Sequence, residues 1–377
     1  MSRLFESYRI GGVTLKNRMM VSPMCQYSAV DGVAQPWHPV NYGRYAMGGA
    51  GLVMVEVTAV NRQGMGTHGD LGLWNDAQQE ALAGVAHSIA SLGAVPAIQI
   101  GHAGRKGASQ RPWHGGRALS QQDVVERGEA PWPLVGPSAI PMSSDRPAPA
   151  VLDSAGIATI RQAFLDTARR AVAAGFRVIE IHSAHGYLLH QFVSPLSNHR
   201  QDDYGGSAEN RWRLPLEIVR EIRAILPSDG ALLVRVSCSD GADGGNELPQ
   251  TIAYAAALKE AGADAIDCSS GGISGRASAT RLARGLGFQI PFSAAIRRQV
   301  DIPTVGVGLI LDGPQAEAVL QAGDADMIAI GRAALDDPNW ALHAREALEG
   351  PGFEHWPPQS GWWLQRRAEL LESIAAS

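Results

Sequence analysis

Eight short apolar runs recur along the chain, separated by stretches too long for hairpin turns. The runs are continuously apolar rather than alternating, which is typical of strands covered on both faces. In chain order they are RMMVSPM (18–24), GLVMVEVTAV (51–60), VPAIQIGHAG (95–104), VIEIHSAH (178–185), LLVRVSC (232–238), AIDCSSGG (265–272), TVGVGLI (304–310) and MIAIGRAAL (327–335).

Helical patterns fill the intervals between these runs. One begins at Asp76, a predicted N-cap, and ends at Gly93, and a second spans 153–175 and ends at Gly175. Four more are predicted at 209–226, 248–261, 287–300 and 312–322. Eight strands alternating with helices predict the α/β class and a (β/α)8 TIM barrel. A doubly wound sheet is the alternative, but the early GxGxxG that such sheets usually carry is missing.

Two regions fall outside the alternation. Residues 103–150 are rich in Pro, Gly and Trp, and they are too long for a plain connection, so we expect a functional excursion over the barrel mouth after the third strand. Residues 351–377 contain three tryptophans and no strand pattern, and we expect this C-terminal aromatic tail at a subunit interface. Residues 1–377 are interpreted as a single barrel domain.

Composition narrows the class of protein. The net charge is −5, with acidic and basic residues intermixed, which argues against nucleic-acid or membrane-surface partners. No signal peptide and no apolar run of membrane-spanning length is evident. Cys25, Cys238 and Cys268 are odd in number and widely spaced, which indicates reduced thiols in a cytoplasmic protein.

The last three strands end in glycine-rich segments. Ser269–Gly272 follows the sixth strand, Gly306 and Gly308 lie at the seventh, and Gly331–Arg332 follows the eighth. Glycines let backbone N–H groups approach an anion and Arg332 can fork onto phosphate oxygens, so these ends predict a phosphate site. Tight turns alone are the alternative.

Two polar side chains interrupt apolar strands. Arg235 needs an anionic or electron-rich partner when buried, and Gln99 needs both its donors and its acceptor satisfied. Together they suit the pyrimidine edge of a flavin. A structural ion pair between Arg235 and a carboxylate such as Glu180 is the alternative.

The fourth strand ends in His182 and His185, with Tyr187 close behind. A metal site with Glu180 is one interpretation, although no third convergent ligand is evident. A second interpretation is that both histidines are structural core residues whose hydrogen bonds are satisfied within the protein. The third is a pair of donors that grips a carbonyl or phenolate oxygen, with Tyr187 as a proton donor.

Several segments together resemble the old yellow enzyme family of FMN-dependent ene-reductases. They are SPMCQYSA (22–29), IQIGHAGRK (98–106), IEIHSAHGYLLHQFVSPLSNHRQDDYGGSAENRWR (179–213), LLVRVS (232–237) and IGRAAL (330–335). The resemblance covers about residues 3 to 345. Cys25 and Tyr27 are similar to the bacterial thermophilic-like subclass, and RPW at 111–113 resembles the xenobiotic reductases of that group.

The resemblance implies a catalytic scheme. NADPH, or alternatively NADH, would deliver hydride to N5 of non-covalent FMN, which would pass it to the β-carbon of a small-molecule substrate. His182 and His185 would bind the substrate's carbonyl or nitro oxygen, and Tyr187 would protonate the α-carbon. Cys25 would contact the flavin and adjust its potential, with a small core residue as the alternative. Tyr27 would help to hold the substrate oxygen or would shape the pocket.

The resemblance also implies binding residues. Lys106 resembles the family's lysine after the third strand, with a surface lysine as the alternative reading. By similarity, the FMN contacts are Ser22, Pro23, Met24, Cys25, Ala59, Gln99, Arg235, Gly308, Gly331 and Arg332.

Relatives insert a tail residue into a neighbouring active site, which implies a homodimer or homotetramer. Trp363 is the residue that we expect to reach the neighbouring site, and Trp362 and Arg366 are alternatives. The opposing interpretation is that these aromatic residues pack against their own barrel.

The predicted function is therefore reduction of activated C=C bonds, in α,β-unsaturated carbonyls, maleimides and nitro-compounds, by an FMN-dependent NAD(P)H oxidoreductase without a metal. Two rivals stay open. One is an FMN-binding carrier or sensor without turnover, and the other is a metal-dependent barrel enzyme that uses His182 and His185.

Overall fold

The computed structural model describes residues 2–274, 282 and 284–376. Its centre is a closed barrel of eight parallel strands that follow one another around the barrel in chain order. The ring closes where Ile328 of the last strand pairs with Met19 of the first. The strands are β1 (Met19–Val21), β2 (Leu52–Ala59), β3 (Val95–Gly101), β4 (Val178–Ser183), β5 (Ala231–Ser237), β6 (Ala265–Ser269), β7 (Thr304–Gly306) and β8 (Met327–Ile330). The predicted (β/α)8 barrel is confirmed.

Helices surround the barrel. In the described ranges they are α1 (Trp37–Met47), α2 (Asp76–Ser91), α3 (Gln121–Arg127), α4 (Ser154–Ala173), α5 (Leu188–Val193), α6 (Ala208–Ile225), α7 (Leu248–Ala261), α8 (Ile290–Val300), α9 (Gly313–Gln321), α10 (Arg332–Asp336), α11 (Trp340–Glu349) and α12 (Pro358–Ala375). The six helices predicted from the sequence are α2, α4 and α6 to α9. In the part of the chain that the structure describes, no helix is both long and apolar enough to span a membrane.

One end of the barrel is closed by an N-terminal hairpin, Tyr8–Ile10 paired with Val13–Leu15. Ile10 and Leu15 are buried together with the inward-facing apolar side chains near the strand starts, such as Met20 and Leu233. Gly12 N–H donates to the carbonyl oxygen of Gly230, just before β5. The hairpin therefore covers the N-terminal ends of the strands and leaves the C-terminal ends as the open mouth.

The outer core lies between the strands and the helices. On α4, Phe164, Ala168 and Ala171 are fully buried, as the 3- and 4-residue spacing predicts, and Val172 is half-buried. Truncating a buried side chain like Phe164 to Ala costs about 3–5 kcal/mol of unfolding free energy, because the transfer free energy of the ring is lost and a cavity is left behind. This layer fixes the strand ends that carry the site.

Some sequence predictions were wrong at element boundaries. Asp76 is not the N-cap of α2, because the Asn75 side chain accepts the Gln78 N–H at 3.0 Å. The run predicted as a strand to residue 335 ends at Ile330, and Arg332 begins the helix α10. The strand predicted over 304–310 ends at Gly306, and Gly308 and Leu309 have positive φ angles that are incompatible with a continued strand.

The two irregular regions have definite structure. Residues 103–150 contain α3, which starts at a capping box of Ser120 and Asp123. A parallel pair, Val135–Gly136 with Ala150–Val151, draws the ends of this excursion together. Most of the C-terminal tail is the helix α12, which is attached to α11 through Trp356 and is otherwise exposed.

Candidate active site

Two cavities open at the C-terminal mouth of the barrel. The first has a volume of about 230 Å³ and is lined by Ser22, Pro23, Met24, Arg235, Phe288, Gln289, Val307, Gly308, Leu309, Ile310, Leu311, Ala329, Gly331, Arg332 and Ala333. The second has a volume of about 270 Å³ and is lined by Tyr27, Gly66, Thr67, Asp70, Lys106, Ser109, Gln110, Pro112, Gly116, Met142, Arg146 and Tyr187. The segment after β1 runs from one cavity to the other, with Cys25 between Met24 and Tyr27.

The first cavity contains seven of the residues predicted to hold FMN, namely Ser22, Pro23, Met24, Arg235, Gly308, Gly331 and Arg332. Ser22 Oγ is buried there without a hydrogen-bond partner, so a polar ligand is needed to satisfy it. A Cβ on Gly308 would lie 3.2 Å from Gln289, and the φ of +125° at this position also favours glycine. An unpaired hydroxyl, glycine backbone and an arginine on the rim fit a phosphate-bearing flavin such as FMN.

Ala59 and Gln99, also predicted FMN contacts, line neither cavity. Both are buried at the strand ends, and Gln99 Nε2 donates to Glu180 Oε1 at 2.6 Å. Gly306 and Ser269–Gly272 lie outside the first cavity as well, so the phosphate-type lining consists of the segments around Gly308 and Gly331.

A buried charged group lies beneath the mouth. Arg235 Nε is 3.2 Å from Asp267 Oδ2, so the ion pair considered from the sequence as an alternative is present, with Asp267 rather than Glu180 as its carboxylate. Burial raises the pKa of both Glu180 and Asp267, and the charge of Asp267 raises the pKa of Glu180 further. Since Asp267 lies against the Arg235 guanidinium, a proton is favoured on Glu180 rather than on Asp267.

The rings of His182 and His185 lie next to each other. His182 is on β4 opposite Arg235 of β5, and its ring centroid is 5.2 Å from that of His185. Burial, followed by the charge of Arg235, lowers the pKa of both imidazoles well below the ordinary value. Both rings are therefore neutral at pH 7, and each has one N–H to donate. Nδ1 of His182 is buried without a partner.

Close backbone packing fixes the position of His185. Its φ is +55°, its N–H donates to Ser237 Oγ at 2.9 Å, and its Nε2 lies 2.6 Å from Ser269 Oγ. A Cβ on Gly272 would lie 2.6 Å from His185 Cα. The glycines after β6 thus allow contact with the histidine backbone, which explains a sequence feature that we had attributed to phosphate binding.

Tyr187 directly precedes α5, and its ring centroid is 4.7 Å from that of His182. Burial, followed by the negative charges that Cys25 and Asp70 would carry, raises the pKa of the Tyr187 phenol well above 10. The phenol therefore stays protonated at neutral pH. In the second cavity Tyr187 lies with Tyr27, which has a φ of +54° and packs edge-on against Trp113.

Two buried carboxylates near Cys25 were not predicted. Glu56 accepts the Tyr42 hydroxyl at 3.0 Å, and Asp70 accepts the Thr67 hydroxyl at 2.6 Å. Burial raises the pKa of the half-buried Cys25 thiol, and Asp70 and Glu56 raise it further, so the thiol stays protonated. Glu56 interrupts an apolar strand just as Arg235 does, and that signal could have identified it.

No three metal-ligating side chains come together among residues 2–274, 282 and 284–376. The neighbours of His182 are instead an aromatic ring, a second imidazole and a guanidinium. Trp363, the other predicted substrate contact, lies on α12 with 68% of its surface exposed, and it lines neither cavity of its own subunit.

Comparison with known proteins gives consistent results. Residues 3–350 match the model of the NADH:flavin oxidoreductase / NADH oxidase family. The chain is 42% identical to the NADPH dehydrogenase of Geobacillus thermodenitrificans (strain NG80-2) over 347 residues, or 92% of this chain and 94% of the relative. It is also 42% identical to that of Bacillus subtilis (strain 168) over 348 residues, or 92% and 95%.

Solved structures share the fold. Morphinone reductase superposes with a TM-score of 0.75 and 24% identity over 92% of this chain and 90% of that one. A complex of 2-naphthoyl-CoA reductase with 2-naphthoyl-CoA gives a TM-score of 0.81 at 24% identity, over 94% of this chain and 53% of that longer one. These matches show the same barrel.

Proposed function

The chain belongs to the NADH:flavin oxidoreductase / NADH oxidase family of FMN-dependent oxidoreductases, and from this we propose that it reduces C=C bonds activated by a carbonyl or nitro group. The substrate classes are α,β-unsaturated carbonyls, maleimides and nitro-compounds. NADPH is the proposed electron donor, by analogy with the NADPH dehydrogenases, and NADH is an alternative.

The observation that carries the proposal is the grouping of two neutral imidazoles with a protonated phenol. Neutral His182 and His185 donate to the substrate oxygen and stabilise negative charge as it develops there. Tyr187, beside them, supplies the proton for the α-carbon. His185 must exchange its contact with Ser269 Oγ for the substrate oxygen, because both use Nε2.

FMN is proposed to bind non-covalently in the first cavity. Gly308, Gly331 and Arg332 would hold the phosphate, Ser22 would offer its unpaired hydroxyl, and Arg235 would donate from the N–H groups that it does not direct at Asp267. Cys25 lies between the cavities, where its neutral thiol would contact the flavin. The chemistry that bound FMN supplies is two-electron reduction of the substrate β-carbon at the expense of the nicotinamide.

An anaerobic spectrum tests the proposal. Purified protein should show flavin absorbance that bleaches with NADPH and returns on addition of 2-cyclohexenone. A colourless protein that takes up no added FMN would contradict it. Bleaching without return upon addition of enones, maleimides or nitro-compounds would favour the rival carrier or sensor, although such a protein has no need for a proton donor such as Tyr187.

We also propose a homodimer or homotetramer formed through α12. Trp362 and Trp363 are 55% and 68% exposed, so they do not pack on their own barrel. Leu370 and Leu371 add to the exposed apolar surface of the same helix. Such a surface is typical of a protein interface. Trp363 is the residue that would reach a neighbouring site, with Trp362 and Arg366 as alternatives.

A further inference from the structure

The second cavity is lined by two cations that the proposed reaction does not use. Lys106 follows β3, and its Nζ donates to the carbonyl oxygen of His185 at 2.5 Å. Arg146, near the end of the excursion, donates to Ser109 Oγ at 2.7 Å and to the carbonyl oxygen of Gly116 at 2.5 Å. All of these acceptors are neutral.

No carboxylate of the described residues lies within 4 Å of either cation, whereas many other arginines of the chain have such partners. The charges acting on Lys106 are the guanidiniums of Arg105 and Arg146, and burial together with this repulsion lowers its pKa to about 8. Arg105 is buried nearby and donates only to main-chain carbonyl oxygens, those of Ile140, Pro141 and Ile273. Lys106 and Arg146 are half-buried, and partly desolvated positive charges that repel one another are unfavourable, so a bound anion would relieve them.

The acids nearby do not fill this role. Asp70 lines the same cavity, but it is occupied by the Gly66 N–H and the Thr67 hydroxyl, and burial raises its pKa to about 6. Asp145 acts on Arg146 from the adjacent position, yet it lines neither cavity at the mouth.

Both cations have donors to spare. Lys106 uses one of three N–H groups in these contacts, and Arg146 uses two of five. The existing bonds fix their positions and so reduce the entropy lost on binding. The cavity also contains Tyr27 and Tyr187, so an anion bound there is close to the site of His182 and His185.

We propose that Lys106 and Arg146 form a subsite for an anionic group, a carboxylate or a phosphate, on the molecule whose reacting end lies at His182 and His185. This inference rests on the proposed function, and it deepens that function by assigning an anion-binding subsite beside the reacting end. The anion has two possible sources, an acidic substrate or the phosphates of the nicotinamide dinucleotide.

Binding of two matched phenols tests the subsite directly. Both 4-hydroxybenzoate and 4-hydroxybenzamide offer a phenol oxygen to the histidines, but only the first carries an anion. Calorimetric titration of the oxidised, FMN-loaded protein should show about tenfold tighter binding of the benzoate, as expected for one charge-assisted contact. In Arg146→Gln the two affinities should converge to within about twofold.

Arg117→Gln is the matched control, because Arg117 is an exposed arginine of the same excursion that lines neither cavity. It should keep the full preference for the benzoate. Equal affinities in the wild-type protein, or equal losses in the two variants, would overturn the proposal. Lys106→Met is a second variant if Arg146→Gln fails to fold.

Binding of inorganic pyrophosphate distinguishes a failure of the anion subsite from a failure of the proposed function. It should bind the FMN-loaded wild-type protein and not Arg146→Gln, whether or not phenols bind. Pyrophosphate binding without phenol binding would support the subsite and contradict the histidine clamp. Flavin bleaching identifies the source: slower bleaching of Arg146→Gln by NADPH points to the dinucleotide phosphates, and an unchanged rate points to an acidic substrate.

Discussion

The ring of Tyr187 lies 4.7 Å from the ring of His182, with the two planes tilted by 51°. Burial acts on these two groups in opposite directions: it lowers the pKa of the imidazole and raises the pKa of the phenol. Both are therefore uncharged at neutral pH. His182 can therefore polarise an oxygen by donating a hydrogen bond, without losing its proton. Tyr187 keeps a proton that it can transfer.

His182→Ala removes one donor to the substrate oxygen. We expect it to retain FMN and to lose about 3 kcal/mol of transition-state stabilisation, or about a hundredfold in kcat/KM for 2-cyclohexenone. Anaerobic steady-state assays measure this loss, with FMN content taken from the visible spectrum. His87→Ala, at an exposed position on α2, is the control and should have the wild-type rate. An unchanged rate in His182→Ala would contradict its assignment to the clamp.

Tyr187→Phe removes the proposed proton donor and leaves the ring in place. Turnover of the enone should fall by about 10²- to 10⁴-fold, since that is the usual contribution of a positioned acid. Bleaching by NADPH should proceed as in the wild type, because that step needs no proton from Tyr187. Stopped-flow measurement of the two half-reactions separates these effects. Tyr8→Phe, at the opposite end of the barrel, is the control.

Asp70→Asn tests the cost of a buried carboxylate. Burial raises the pKa of Asp70 in the folded protein to about 6 from an ordinary 3.8, so the unfolded chain releases this proton first and the wild-type protein loses stability as the pH rises from about 4 to about 6, with little further loss above that. An amide has no such dependence. The free energy of unfolding of Asp70→Asn relative to wild type should therefore rise by about 2 kcal/mol between pH 4 and pH 8. Urea titrations at the two pH values measure this difference, and a pH-independent difference would contradict the raised pKa.

The ion pair between Arg235 and Asp267, with protonation favoured on Glu180, predicts unequal effects of two conservative substitutions. Glu180→Gln replaces a protonated carboxyl with an amide and should cost less than about 1 kcal/mol of unfolding free energy. Asp267→Asn removes the counter-ion of Arg235 and should cost about 3–5 kcal/mol. Urea denaturation of the two variants measures these losses of unfolding free energy. Equal costs would mean that the proton is not held on Glu180.

The proposed assembly has a simple test. Leu370→Glu places a charge on the exposed apolar surface of α12, where Leu370 is 61% exposed, so it should dissociate the oligomer without disturbing the barrel. Light scattering of wild type and variant measures the change in mass. Glu372→Lys changes a charge on the same helix and is the control. A wild-type monomer that reduces 2-cyclohexenone at full rate would rule out a site shared between subunits.

The barrel was predictable because each strand is buried on both faces and so reads as an unbroken apolar run. Helix α1 was not predictable in this way, because its buried side includes His38, Asn41, Tyr42 and Tyr45, which show no apolar periodicity. It also begins at Pro36 without a side-chain cap. Helix α12 was missed for a related reason: its apolar residues remain exposed and do not mark a face toward a core.

The candidate site was predictable where chemistry is concentrated at strand ends, as at His182, His185 and Arg235. Asp70 was not, because it lies in a loop after β2, and only the folded chain brings it beside Tyr187 and Tyr27. Glu180 was only an example of a carboxylate partner for Arg235, within an alternative interpretation, and the partner in the structure is Asp267. Arg235 has neighbours on both sides, with His182 of β4 and Asp267 of β6 in register, and spacing along the chain does not reveal which side its guanidinium takes.

The contact between Gly272 and His185 has a consequence for how this scaffold can diversify. A Cβ at residue 272 would lie 2.6 Å from the histidine Cα, and one at Gly186 would lie 2.2 Å from the Gly272 carbonyl oxygen. Two chain segments about ninety residues apart therefore interlock without any side chain between them. When the loop after β6 is exchanged between related barrels, we expect the position of His185 to be preserved only if the exchanged segment begins after Gly272. The two glycines therefore limit where segments of this barrel can be recombined.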